Sequence, residues 1–569
     1  FDKHKVMYYT REGFDFFYPG YGSSYPSVMG AIGMLVEQGG HSRGGRAVKT
    51  DDGYTLTLRQ RIFDHYETSF ATLSAAVRNR QTLNQYFHDS FQEKTNKGNA
   101  AAYIFPDNTH NYLYDVMNML MEHGIEIHQA KTDFNVIKAH NYKDGIANRH
   151  EFNKGDFVIF TDQPRHLFIN TVLQREMEIE DSIMYDMATW SAPLAYNLEA
   201  YWTENKLRMG TNRLTEKLNY PSGLTKKKDP YAYVINWHQR NAPKALAMLW
   251  NKGYRVRSAR KEFNNGIRDY PRGTLVILIG RNQEKQKSAQ NDMEIIASTA
   301  GVEIETFETG RMNSGIDFGS GNMVPLKQSK VGLMVDSPFN SYTAGQLWFL
   351  LDKDTELGIS RIRTARIKQM DLKKYNVLIF PGTRGELDSI IVKKIKQWVR
   401  EGGTLVATES SAEFFGEKSG LTKVKTVSLP KIESDTIPAS AYTRYEDRAD
   451  SSGLKRIPGT ALLGVMDNSN PLAFGIPEML YTLKQNTKAL EPNANLQTVG
   501  YYHKNPKKIK VSGYVSIENQ KLLSGKVFAA VQPVGQGKVV FLVDNTQYRM
   551  FWVGPSRLVQ NAVMLVPSM

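Results

Sequence analysis

Asn376-Val377-Leu378-Ile379-Phe380-Pro381-Gly382, then Asp388, then Thr404-Leu405-Val406-Ala407-Thr408: this stretch decides the fold class. An apolar run that stops at Pro-Gly reads as a buried strand and its turn. Asp388 can cap a helix whose apolar positions Ile391, Ile395, Trp398 and Val399 share one face. Gly402-Gly403 ends that helix, and Thr404 opens the next buried strand. Strand, helix, strand is the repeating unit of an α/β fold. Working outward, Val331-Gly332-Leu333-Met334-Val335 reads as an earlier strand of the same unit. Gly535-Gln536-Gly537-Lys538 reads as a tight hairpin turn, Val539-Val540-Phe541-Leu542-Val543 as a late strand, and about 556–565 as the last helix. The unit covers 325–569, with a β-rich insertion over about 411–530.

Upstream, the sequence repeats itself. Ala102-Tyr103-Ile104-Phe105 opens a strand, Leu113 to Met121 has a helical pattern, Gly124 ends it, and Ile125-Glu126-Ile127-His128 follows. Ala232-Tyr233-Val234-Ile235 opens the second copy, with a helix from Ala242 to Trp250, Gly253, and Tyr254-Arg255-Val256-Arg257. Each copy reaches a Phe (Phe134, Phe263) and then a Gly before an apolar strand, Phe157-Val158-Ile159-Phe160 or Leu275-Val276-Ile277-Leu278. Two related α/β units, 98–225 and 228–312, are expected, with parallel strands covered by helices.

Residues 1–95 read as one further unit. A Gly/Tyr/Ser/Pro loop leads into Gly30-Ala31-Ile32-Gly33-Met34-Leu35-Val36, which reads as a short apolar strand, and a helical pattern runs from about Ile62 to Phe91. Glu37 follows the strand and faces Gln38-Gly39-Gly40-His41. A carboxylate at the end of a buried strand, beside a glycine loop, is where α/β enzymes place site residues.

Composition narrows the functional classes. The apolar and charged fractions, 41% and 23%, are those of a globular chain, and no apolar run approaches the roughly 20 residues that span a bilayer. There is no cysteine, which removes disulfides, a cysteine nucleophile and thiolate metal sites. The net charge of +14 comes from 72 basic against 58 acidic residues, but the basic residues are scattered. The densest clusters, Lys226-Lys227-Lys228 and Lys504 to Lys510, read as solvated surface and not as a nucleic-acid site. Phe1-Asp2-Lys3-His4 has neither an initiator Met nor a signal-peptide pattern, as expected of a processed start or of a stretch inside a longer gene product.

The run Phe14-Asp15-Phe16-Phe17-Tyr18-Pro19-Gly20-Tyr21-Gly22-Ser23-Ser24-Tyr25-Pro26, then Gly30 to Gly40, resembles the late part of carboxypeptidase A-like zinc peptidases. The resemblance implies that Glu37 is the general base on a zinc-bound water and then the proton donor to the leaving amine. It implies that Tyr18, or less directly Tyr21, closes over the substrate. His41 and Arg43, in Gly39-Gly40-His41-Ser42-Arg43-Gly44-Gly45, could line the same cleft and bind an anionic group, or be solvated loop. Zinc is the cofactor the resemblance implies, but its His-x-x-Glu pair and distant His lie upstream of the base in that family. Here only His4 precedes Glu37, and His123-Gly124-Ile125-Glu126 straddles a helix end, so no ligand is identified.

Residues 325–569 resemble the class I glutamine amidotransferase-like fold found downstream of the peptidase domain in some bacterial zinc carboxypeptidases. Members place a Cys on the sharp turn after a buried strand; the comparable turn here, Val406-Ala407-Thr408-Glu409-Ser410-Ser411, has none. Ser410 would need a His partner to act as a nucleophile. The expectation is therefore a fragment of a zinc-dependent metallocarboxypeptidase, secreted or periplasmic. It would act on the C-terminal bonds of a peptide or protein, alone or as a homo-oligomer, and be inactive without the missing ligands. The alternatives are a non-catalytic peptide- or glycan-binding scaffold and, on fold analogy alone, a sugar-processing accessory domain.

Overall fold

The computed structural model describes the 569-residue chain except residues 11–16, 40–44, 93–95, 97, 178, 180–186, 428–442, 449–452 and 454. The class is α/β, with three principal sheets. In the last unit, five parallel strands lie in the order Ile359–Ile362, Val331–Met334, Val377–Phe380, Thr404–Thr408, Gly537–Leu542. In chain order this is 2-1-3-4-5, so the direction of winding reverses between the first and third strands. Asp388 caps the helix Ser389–Arg400 through the Ile390 N–H at 2.9 Å, and Ile391, Ile395, Trp398 and Val399 are its buried positions.

The β-rich stretch 411–530 is no separate layer. Its strands Val527–Val534, Gln497–Tyr502, Thr460–Met466 and Met479–Lys484 continue the parallel sheet from Gly537–Leu542 by antiparallel pairing. Joining the sheet satisfies the backbone groups that a free hairpin edge would leave open.

The two upstream sheets repeat one another. Ala102–Phe105 pairs with Phe157–Phe160 on one side and Tyr201–Thr203 on the other, while His128–Ala130 lies beyond Phe157–Phe160. Ala232–Ile235, Leu275–Leu278, Glu303–Phe307 and Arg257–Ala259 occupy the same places with the same register: Ala102 opposes Phe160 and Ala232 opposes Leu278. Each of these neighbour pairs is antiparallel, which corrects the expectation of parallel strands side by side, although Gly223–Thr225 pairs in parallel with Glu303–Phe307 at the edge of the second sheet. The two strands joined by each helix are parallel to one another, but an antiparallel strand is inserted between them, a split βαβ arrangement. The inserted strand arrives through a hairpin that covers the far face. Phe134–Asn141 and Ala147–Phe152 bury Val136, Ala139 and Phe152 against Ala102, Ile104 and Val158. Both faces are therefore covered, which is why these strands read as continuous apolar runs.

The N-terminal unit departs furthest from expectation. Residues 32–39 have no regular secondary structure, so Gly30 to Val36 is not a strand and Glu37 does not stand at a strand end. Gly33 explains part of this: it lies so close to the Ser23 carbonyl that a Cβ would overlap it. Its N–H donates to Ser27 Oγ at 3.2 Å. The segment folds back on the loop that precedes it. The helical pattern does form, as Leu58–Arg78 and Arg80–Asp89 with a break at Asn79, but its apolar stripe is not buried. Phe63, Phe70, Leu73 and Val77 are all exposed.

Candidate functional site

Tyr18 is half-buried and Tyr21 beside it is similarly placed. The Tyr18 ring lies 3.9 Å from that of Trp190, centroid to centroid, and 4.8 Å from Tyr21 edge-on. Trp190 is fully buried and belongs to the core of the first repeated unit. The Arg549 guanidinium, from the turn after the last sheet strand, sits 4.4 Å over the Tyr18 ring. It also donates from Nη2 to the Tyr21 hydroxyl at 3.2 Å. The Tyr-Pro-Gly-Tyr loop is thus held from two distant parts of the chain.

Glu37 is exposed. The apolar residues before it are exposed too: Ile32 at 56%, Met34 at 56%, Leu35 at 45% and Val36 at 43%. Tyr18, Tyr21 and Glu37 belong to one folded-back segment. His41 and Arg43 lie outside the described residues. Among the described residues no three His, Asp or Glu side chains come together to hold a metal ion. His123 stacks on Phe168 at 4.4 Å and Glu126 pairs with Arg213 at 2.8 Å, so the one His-x-x-Glu is used for packing and a surface ion pair.

A second polar cluster lies at the carboxyl edge of the parallel sheet. Glu409 follows the buried strand Thr404–Thr408 directly, with φ 52° and ψ −129°. That backbone conformation favours glycine and costs a residue with a Cβ on the order of 1–3 kcal/mol. Its Oε2 is buried and accepts no hydrogen bond. Burial pushes the carboxyl above the usual carboxylate range, opposed by Thr343, the Gly382 N–H and Asn545 around it. Ser410, next along, is not a free nucleophile: its Oγ donates to the Thr383 carbonyl at 2.7 Å and accepts from the Thr383 N–H at 2.8 Å.

Glu409 yields a pH prediction. A carboxyl whose folded pKa is raised favours folding fully below its unfolded value near 4.5 and loses that contribution as pH rises through the folded value. Glu409→Gln, neutral throughout, should therefore melt above the parent chain at neutral pH, with the gap closing as pH falls through the folded value and gone below about pH 4.5. Thermal melts from about pH 4 to about pH 8 check this; a gap independent of pH would mean that the carboxyl ionises freely.

Neither Arg549 nor Glu409 was singled out by the sequence. Glu409 offered the same signal as Glu37, a carboxylate directly after a buried strand. Arg549 offered none, because its partners stand hundreds of residues away.

No protein-family model matches the chain, and no curated protein matches it. Solved structures similar to part of it include a ThuA-like protein from Parabacteroides merdae, 10% identical, covering 42% of this chain and 89% of that one with a TM-score of 0.28. A ThuA-like protein from Bacteroides uniformis is also 10% identical, with the same coverages and a TM-score of 0.26. The β-galactosidase of Bacillus circulans sp. alkalophilus is 12% identical over 43% of this chain, with a TM-score of 0.27; the match spans 32% of that enzyme. The α/β class rests on the strand order and not on these likenesses. Among the described residues no helix is long and apolar enough to cross a membrane.

Proposed function

We propose that the chain is a portion of a zinc-dependent metallocarboxypeptidase that hydrolyses the C-terminal bond of a peptide or protein outside the cytoplasm. Glu37 is its base and Tyr18 its substrate clamp. The observation that carries this reading is the run from Phe17 to Glu37, whose apolar residues Ile32, Met34, Leu35 and Val36 are exposed with no sheet to join. The exposed stripe of the helix Leu58–Arg78 lies in the same unit. Large apolar side chains exposed in such numbers point to a packing or binding face, and a larger α/β domain would bury them.

In this reading Glu37 accepts a proton from the attacking water as the C–O bond forms, and returns it to the departing amine as the C–N bond breaks. Zinc supplies Lewis acidity in such peptidases; the described residues do not fit it, and none is assigned as a ligand. In a full-length protein that supplies the zinc ligands, replacing Glu37 by Gln should lower release of the C-terminal residue from a peptide by about 100-fold or more. The melting temperature should scarcely move, since the side chain is exposed. Unchanged turnover would remove Glu37 as the base, and stoichiometric zinc in the 569-residue chain would show that it carries ligands of its own.

The exposure of Glu37 favours a second reading, a non-catalytic scaffold that binds a peptide or glycan. Saturable peptide binding with no hydrolysis, indifferent to Glu37→Gln, would favour it over the first.

A further inference from the structure

Arg549 is carried on a turn that the rest of the last unit makes rigid. Beyond the strand Gly537–Leu542, Asp544 is tied to Lys484 and Tyr502, and Asn545 Nδ2 donates to Gln346 Oε1 at 2.9 Å. The turn then closes through Met550 N–H to the Gln547 carbonyl at 3.0 Å and Phe551 N–H to the Tyr548 carbonyl at 3.0 Å. Trp552, fully buried, ends it by donating its indole N–H to the Tyr481 carbonyl at 3.2 Å. Arg549 and Met550 both have φ 52°, the left-handed region that residues with a Cβ avoid. From this turn the Arg549 side chain reaches the N-terminal loop.

Among the described residues it meets a group of aromatic rings. Its guanidinium lies 4.4 Å from the Tyr18 ring centroid, 5.0 Å from Tyr548, 5.4 Å from Tyr21 and 5.7 Å from Trp190. These rings come from the N-terminal loop, the first repeated unit and the turn itself. A guanidinium over several ring faces is attracted by each, more strongly where water is excluded. The loop's later part is anchored separately, Tyr25 lying edge-on to His123 and Phe168, and Val28 and Met29 packing on the same core; its one helix, Tyr25–Val28, is four residues long, and residues 32–39 are irregular.

We propose that Arg549 is a positioning residue that holds the Tyr18 loop in place, so that the C-terminal α/β unit sets the reach of the substrate clamp. It touches neither substrate nor reacting atoms, and acts through Tyr18 and Tyr21. The proposal rests on the reading of Tyr18 as that clamp.

Hydrogen–deuterium exchange on the full 569-residue chain tests it without any turnover. In Arg549→Met, which keeps the length and removes the charge, amides of residues 17–30 should exchange about tenfold faster or more. The strands Thr404–Thr408 and Gly537–Leu542 should stay as protected as in the parent. Arg549→Lys, a cation without the planar fork, should fall between the two. Loop protection equal to the parent's in Arg549→Met overturns the proposal. If the turn itself loosens in that variant, Tyr21→Phe gives the second test from the loop side. Loss of the hydroxyl that Arg549 reaches should speed exchange over 17–30 alone, and no change there overturns the proposal. A peptidase assay on the full-length protein that supplies the zinc ligands separates the two readings: a loosened loop should raise KM more than it lowers kcat. A loosened loop with both constants unchanged would dismiss Tyr18 as the clamp while leaving Arg549 as the loop's anchor.

Discussion

Replacing Lys484 by Met should cost the last unit about 3–5 kcal/mol, the penalty for stranding one partner of a buried ion pair. The Lys484 side chain is fully buried and that of Asp544 is 4% exposed, with Nζ and Oδ1 2.8 Å apart. Nζ also donates to the Lys488 carbonyl, and the Tyr502 hydroxyl donates to Asp544 Oδ2 at 2.6 Å. Burial pulls the Lys484 ammonium below its ordinary range and pushes the Tyr502 phenol well above its own. Lys484→Met alone leaves the Asp544 carboxylate in an apolar surround with one neutral donor. The double variant Lys484→Met/Asp544→Asn removes both charges and keeps an acceptor for Tyr502, so it should recover more than half of the loss. Urea unfolding of the chain measures both. A double variant as unstable as the single one would show that the pair's charges are not what matters. The consequence reaches beyond stability, because Asp544 sits at the root of the turn that carries Arg549.

Arg240→Met is expected to cost about 3 kcal/mol, the low end of the same range, because its partners are partly solvated. The Arg240 side chain is 11% exposed and forms a fork with Asp354, at 2.7 and 3.3 Å, and a bond to Asp115 at 3.2 Å. Its guanidinium also lies 4.2 Å over the Tyr112 ring. Asp115 and Tyr112 belong to the first repeated unit, Arg240 to the second and Asp354 to the last, so one side chain ties three units. Its loss should lower the midpoint and split the unfolding transition, since the units would no longer melt together. Arg240→Lys should rescue little, because a point charge cannot reproduce a fork and a ring contact at once. A single sharp transition in Arg240→Met would show that apolar packing alone couples the units.

The legible parts of the fold are those set by neighbours in sequence. Asp388 caps its helix because the side chain reaches the Ile390 N–H two residues on. Gly124 and Gly253, with φ 77° and 82°, end their helices because a residue without a Cβ enters the left-handed region at no steric cost. The order of elements in the two repeated units is legible for the same reason. The sense of pairing is not. A buried strand of four apolar residues looks the same beside a parallel or an antiparallel neighbour, and the hairpin that inserts Phe157–Phe160 between two parallel strands leaves no mark on either.

Glu37 divides the two kinds of information most clearly. The residues alone supplied its type, its place after an apolar run and its glycine-rich sequel, and through them the resemblance to a zinc peptidase. They also supplied the α/β class, the capped helix and the duplication, because each depends on spacing over a few residues. Only the tertiary structure decided that the run before Glu37 is irregular and exposed, for a strand exists only where another strand satisfies its backbone. Only it decided that Tyr18 meets Trp190 and Arg549, and that an acid stands on the strained turn at Glu409. Those contacts join residues up to 531 positions apart, and no local pattern encodes which distant side chain will fill a given space.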